Sequence, residues 1–255
     1  MSLPLSLSVL RFCNSWFCSK PAQPLFWSFL QKNVSSKYHQ YTSEMVSTFQ
    51  LVAGIMEGDI ILEVFGYFAY AVYILLLLTS FGLTFDGSAS VCAVWEDIFH
   101  KRQTILNGNI IIICQLLGGY LATYFVKLFW WFSFTNYHAQ KSILAKEICD
   151  SALKSSILFG FVCEFLATFV FSIYTNMQLF SVKILPYSDA VISTLIIMIG
   201  MDYTGMMFNP ALAFSLTYNC KGHSISEHLL VYWASPFFAC VLSWYIFCNR
   251  KLKSH

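Results

Sequence analysis

The sequence predicts an all-α transmembrane protein: six spanning helices and two shorter re-entrant helices, arranged as two related halves of opposite orientation. Three observations predict it. Of 255 residues, 57% are hydrophobic and 11% charged, under half of the roughly 25% charge of a soluble globular chain. The apolar residues gather into runs long enough to cross a hydrocarbon layer about 30 Å thick. A short pattern in the first half of the chain also returns in the second, at a matching distance from a matching interruption.

Taken in order, residues 1–40 form a cytoplasmic or interfacial tail. Met1–Leu10 is apolar, but Arg11 follows it rather than precedes it, and no small-residue cleavage site ends a clean hydrophobic core. That favours an amphipathic, interfacial segment over a cleaved signal peptide. The first repeat, 41–135, holds spans at Thr42–Met56, Gly66–Phe85 and Ile105–Phe134; the first of these is the least hydropathic and carries Glu44. A connecting loop, 136–154, leads to the second repeat, 155–248, with spans at Ser155–Leu179, Val191–Gly205 and Leu229–Phe247. Residues 249–255 are a cytoplasmic tail. With both termini cytoplasmic, ten of the 15 basic residues lie inside, which satisfies the positive-inside rule. The acceptor sequence Asn33-Val34-Ser35 would then face the cytoplasm and stay unmodified. Nine cysteines are scattered with no Cys-x-x-Cys pair. This predicts individually buried thiols rather than a disulfide framework or a zinc site.

The repeat is Glu44-x-x-x-Thr48-Phe49, matched by Glu164-x-x-x-Thr168-Phe169. Each copy precedes another apolar span and then an irregular segment, Ser90-Val91-Cys92 in the first half and Asn209-Pro210-Ala211 in the second. The separations are 46 residues (44 to 90) and 45 residues (164 to 209). Three spans per half make the second copy enter the membrane in the opposite sense, a plan typical of transport proteins. A carboxylate within a span is costly and needs partners. Glutamate and threonine at i and i+4 share one helix face, so Glu44 and Glu164 are expected to accept hydrogen bonds from backbone N–H groups of a packed loop. Asparagine is a good N-cap and proline suits a helix's first turn. Asn209-Pro210-Ala211 therefore reads as the start of a short helix, 210–218, whose N-terminal N–H groups and partial positive charge point inward.

These features resemble the aquaporin family. The resemblance is carried by the two Glu-x-x-x-Thr-Phe segments, Gln115-x-x-Gly118 in the third span, Thr204-Gly205-x-x-x-Asn209-Pro210-Ala211, and Tyr232-Trp233-x-x-Pro236 in the sixth span. GLTFDGSA before the first interruption and FNPALAFSLTYNCKGH around the second are similar to the unorthodox, intracellular branch called superaquaporins. The resemblance implies an aquaporin-like right-handed bundle in which the two half-helices meet at their N-termini. It further implies a lipid-embedded homotetramer with one pore per subunit, passing water and sometimes glycerol or hydrogen peroxide. It favours an internal membrane such as the endoplasmic reticulum over the plasma membrane. Gln115 joins Glu44, Thr48, Glu164 and Thr168 as a loop-supporting residue.

Two departures stand out. The first Asn-Pro-Ala is replaced by Ser90-Val91-Cys92; Ser90 can still cap a helix and donate from its hydroxyl. The family's arginine directly after the second motif is here Leu212. By the family's spacing the remaining constriction positions fall at Tyr70, Ile197 and Met206. A ring of Tyr, Ile, Met and Leu offers few replacements for the hydrogen bonds a water gives up, so slow water passage is expected, with a larger, less polar solute better suited.

Enzymatic chemistry is not expected. His100, His138, His223 and His228 show no metal-ligand spacing and are expected to be solvated loop residues. No Ser-His-Asp or phosphate-cradling arrangement occurs either. No metal, cofactor or nucleic acid is expected. The alternative to a channel is a non-conducting relative that keeps the fold for assembly or regulation. A substrate-coupled transporter would need an ionisable pair at the midplane, and Glu44 and Glu164 are engaged in holding loops.

Overall fold

The computed structural model of this chain describes residues 36–144 and 149–253. The acceptor sequence at Asn33 and most of the N-terminal tail lie outside the described residues. Among the described residues nine α-helices run in order. They are α1 Ser36–Thr84, α2 Val91–Phe99, α3 Ile105–Trp131, α4 Asn136–Leu144, α5 Ile157–Met177, α6 Leu185–Thr204, α7 Pro210–Thr217, α8 Ile225–Leu229 and α9 Ser235–Lys253. Among the described residues, five helical stretches are long and apolar enough to cross a membrane. The longest of them, within α1, contains two spans. At Gly66 the backbone turns to φ 78°, ψ −176°, a region glycine enters without a Cβ penalty. The two rods fold back on each other there: the Tyr73 hydroxyl donates to the Gly54 carbonyl at 2.7 Å, and Gly58 faces Tyr70 and Tyr73. The described residues thus form six spanning rods, with α2 and α7 too short to span.

Helices in lipid associate through close packing rather than water exclusion, and small residues permit that here. Gly118 on α3 lies against the backbone of Met45 on α1, where any Cβ would collide with the Met45 carbonyl. The main core cluster joins Val52, Ala122, Val126 and Trp130 to Leu212, Val231 and Tyr232, so α1, α3, α7 and the last span share one interior. The last span begins as α8, passes through a π-helical turn at Leu230–Ala234 and continues as α9. π-Bulges of this kind recur at functional sites. This one buries Tyr232, whose hydroxyl donates to the Thr204 carbonyl at 2.7 Å.

Three expectations are corrected. The segment between the halves is not wholly loop, because it folds into α4. His138 on α4 and His228 on α8 are buried rather than solvated, at 2% and 0% exposure. Burial of His138 is tied to a third buried carboxylate that the sequence did not flag. Glu57 accepts from Trp130 Nε1 at 2.6 Å and faces His138 Nε2 at 3.3 Å, while His138 Nδ1 lies 2.7 Å from the Thr135 hydroxyl. A carboxylate otherwise expensive in this setting becomes the clasp that seats α4 on α1 and α3. Lys141 of α4 adds an ion pair with Glu63.

The third correction concerns the cysteines. Cys149 and Cys220 form a disulfide with Cα atoms 4.8 Å apart. Around it Lys221 N donates to the Cys149 carbonyl at 2.8 Å, and Ser151 N donates to the Lys221 carbonyl at 2.7 Å. Ala152 N donates to the Thr217 hydroxyl at 3.0 Å. The end of the inter-repeat segment is thereby zipped to the end of α7. The two cysteines sit far apart in sequence inside unremarkable spacing, so no local pattern announces the bond.

Candidate functional site at the junction of the half-helices

The loop before each half-helix is strained at the same place. Ala89, just before Ser90, has φ 49°, and Phe208, just before Asn209, has φ 31°. Left-handed backbone at a non-glycine residue costs on the order of 1–2 kcal/mol and persists only where surroundings enforce it. A buried glutamate enforces each one. Glu44 accepts from Ser88 N at 2.9 Å and Ala89 N at 3.0 Å. Glu164 accepts from Met207 N at 3.0 Å and Phe208 N at 2.7 Å. In both halves the carboxylate takes two consecutive amides, the second belonging to the strained residue.

The remaining carboxylate capacity is filled differently. Gln115 Nε2 donates to Glu44 at 2.8 Å, and the Thr204 hydroxyl donates to Glu164 at 2.7 Å. Thr204 also accepts from Met206 N at 3.1 Å. The paired threonines of the repeat play no such part. Thr48 donates to the Glu44 carbonyl in its own helix at 2.8 Å, and the buried Thr168 hydroxyl has no partner among the described residues. These threonines lie on the expected face without reaching a loop.

The two half-helices meet through one side chain. Asn209 caps its own helix, its Oδ1 accepting from Ala211 N at 3.1 Å. The same oxygen lies 3.3 Å from Val91 N, and Asn209 Nδ2 donates to the Ala89 carbonyl at 2.7 Å. Ser90 occupies the N-cap position of α2 with extended backbone, yet its side chain makes no capping bond; the expected cap comes from Asn209 instead. The reason is chemical. Valine in place of proline at the first helical position has an N–H that proline would lack, and Asn209 is the acceptor that satisfies it. The Cys92 thiol lies 3.5 Å from the Phe208 carbonyl oxygen.

The four residues expected at the constriction divide among three packing groups. Tyr70 and Ile197 share an apolar cluster with Tyr73 and Ile74. Met206 packs with Ala167 and Ile196. Leu212 belongs to the main core, 8% exposed beside Val52 and Tyr232. No cluster of His, Cys, Asp or Glu able to hold a metal occurs among the described residues.

Six spanning rods, two half-helices joined N-terminus to N-terminus and a carboxylate beneath each loop define a polytopic membrane protein with a re-entrant centre. The family model for the major intrinsic proteins matches residues 97–247, and the chain belongs to that family of membrane channels. Among its relatives, Aquaporin-11 of Milnesium tardigradum is 27% identical over 201 residues, covering 78% of this chain and 72% of the relative. Aquaporin-12 of Mus musculus is 27% identical over 216 residues, covering 81% and 73%. These place the chain with the unorthodox branch. Among solved structures, the aquaglyceroporin from Plasmodium falciparum superposes with a TM-score of 0.59 over 84% of this chain and 95% of that one, at 15% identity. That likeness speaks to the fold.

Proposed function

We propose that this protein is a passive channel for water and small neutral solutes such as glycerol or hydrogen peroxide. The observation that carries the reading is the Asn209 side chain, which ties the two half-helix N-termini together. Two N-termini facing one point concentrate positive potential and leave N–H groups to greet a polar, uncharged solute. The same potential opposes cations. In this reading Asn209, Pro210, Ala211, Ser90, Val91 and Cys92 surround the passage, Glu44, Glu164 and Gln115 hold its walls, and Tyr70, Ile197, Met206 and Leu212 narrow it. The two repeats act as one pore unit per subunit, subunits assemble as homotetramers, and the compartment is an internal membrane. A mostly apolar narrowing favours modest water flux and better relative passage of less polar solutes.

One observation favours a second reading. Leu212 is packed into the core where the family has an arginine, which suits a relative that keeps the fold without conducting. Stopped-flow light scattering on proteoliposomes decides between them, run with water and glycerol gradients and with Asn209→Asp and Leu212→Arg beside the wild type. Shrinkage faster than empty liposomes, lost in Asn209→Asp, is the expected result. Rates equal to empty liposomes from folded, inserted protein would overturn the channel reading.

A further inference from the structure

Two histidines lie together where the chain leaves α7, His223 in the turn after Cys220 and His228 on α8. His223 Nε2 is 3.2 Å from His228 Nδ1, and the two rings are stacked with centroids 5.4 Å apart. His228 is fully buried and His223 half-buried. Their remaining nitrogens, His223 Nδ1 and His228 Nε2, are both buried without a hydrogen-bond partner among the described residues. A neutral imidazole carries one N–H and one bare nitrogen. Whichever ring donates the shared bond, the dyad is left with one orphaned N–H and one bare nitrogen. A proton can settle on that bare nitrogen with the shared bond intact. A second proton would set N–H against N–H and cation against cation, so the pair takes one.

The dyad also touches the half-helix that carries Asn209. The Tyr218 ring, at the C-cap of α7, lies 5.3 Å from the His228 ring. The Tyr232 ring, in the π-helical turn, lies 5.1 Å from it on another side. The Tyr232 hydroxyl donates to the Thr204 carbonyl, and the Thr204 hydroxyl donates to Glu164. Glu164 in turn holds Phe208 in its left-handed conformation just before Asn209. The two imidazoles therefore meet one end of α7 directly and reach the other through Tyr232, Thr204 and Glu164. The carboxylate beside them is Glu227, whose charge favours a protonated His223 while burial opposes it. The next charges are Lys221 and Asp150, which share a backbone bridge near the disulfide.

We propose that His223 and His228 form a single-proton binding site, and that its occupation in an acidic compartment closes the passage by way of Tyr232. The proton enters at His223, the ring whose chain neighbours Gly222 and Ser224 are exposed. A cation held against tyrosine rings is poorly solvated, and Glu227 draws it outward. His228 follows because the shared bond survives the first proton. Tyr232 then loses the ring packed beside it, and its grip on Thr204 slackens. Phe208, kept in a costly conformation only by its surroundings, relaxes, and Asn209 no longer ties the half-helices. The effect on flux rests on the channel reading above; the proton site does not.

The experiment titrates the full chain, labelled with nitrogen-15 histidine in lipid nanodiscs, by NMR across the ordinary histidine value of about 6.5. Glu227→Gln and His223→Gln are run beside the wild type, each checked for folding by size-exclusion chromatography. The two rings are expected to respond together with one midpoint. Glutamine can still complete a capping box, so Glu227→Gln removes the charge while sparing the helix start, and the shared midpoint should move to lower pH. In proteoliposomes, wild-type flux should fall several-fold between about pH 7 and about pH 5.5, a window that brackets the histidine value. Glu227→Gln should need more acid for the same fall, and the ratio of the two rates should approach one in His223→Gln. Separate midpoints for the two rings, or no titration of either in folded protein, would overturn the proposal. So would a conducting wild type indifferent to acid, or an acid response that survives whole in His223→Gln. A dyad that titrates as one in a protein that conducts at no pH would keep the proton site while removing the channel reading.

Discussion

Glu164 is fully buried and accepts three hydrogen bonds, from Met207 N, Phe208 N and the Thr204 hydroxyl. Glutamine at this position keeps the size but turns one acceptor into an N–H group that faces another donor. An unsatisfied buried group costs about 1–3 kcal/mol, more when charge assists the lost bond. Glu164→Gln is therefore expected to lower the melting temperature in detergent by several degrees and to loosen the Phe208 backbone, where Glu164→Ala should fare worse. A Glu164→Gln melting curve superimposed on the wild type would show that the loop is held by other means. At this scale much was legible in the sequence, because a carboxylate in a span must find donors and its duplication pointed to a loop. The route by which Asn209 serves both half-helices was not. Nothing in Ser90-Val91-Cys92 says that the missing cap will be supplied from 118 residues away. The buried Glu57 was missed for a related reason: its partners, Trp130 and His138, lie far along the chain and follow no repeat.

The elements show where patterning suffices and where it fails. Apolar runs located all six spans because each rod must bury its own backbone bonds in lipid. Their ends moved by several residues, since interfacial turns such as the α8 capping box at Ser224 and Glu227 extend helices beyond the apolar window. The disulfide lay beyond any such reading, and it belongs to the element scale because it couples α7 to the inter-repeat segment. The bond closes a loop of 71 residues in sequence separation, for which chain entropy predicts roughly 4 kcal/mol of stabilisation at most. Cys149→Ser or reduction should lower the melting temperature markedly while leaving helix content by circular dichroism intact. An unchanged transition after verified reduction would show that the surrounding backbone bonds suffice alone. Beside this staple, His223 has its pKa pushed below the usual value by burial, with Glu227 opposing that push. A histidine with a lowered folded pKa favours the folded state above its unfolded value of about 6.5 and destabilises it as pH falls toward the folded value. Melting temperature should therefore drop between pH 7 and pH 5, less steeply in His223→Asn. A variant with the full wild-type slope would assign the acid response to other groups.

Two features bear on how the whole molecule is oriented, one a sequence count and the other a bond. With both termini assigned to the cytoplasmic side, ten of the 15 basic residues are expected there, and the same six-span order puts the inter-repeat segment and the end of α7, which the disulfide joins, opposite the termini. Disulfides persist in oxidising compartments and not against cytosolic thiols. The face bearing Cys149 and Cys220 is therefore expected to look into a lumen or outward, with Lys101, Arg102 and Lys183 on the cytoplasmic face. The orientation is open to direct measurement. In sealed microsomes first treated with a membrane-permeant reductant and then cleared of it, a membrane-impermeant maleimide should fail to label Cys149 and Cys220 before permeabilisation. After permeabilisation it should label them only once a reductant has opened the bond. A tag at the C-terminus should meanwhile be digested by added protease without permeabilisation. Labelling of both cysteines in sealed vesicles would invert the topology. The positive-inside count and the oxidised staple would then point in opposite directions, and α7 would enter from the cytoplasmic face.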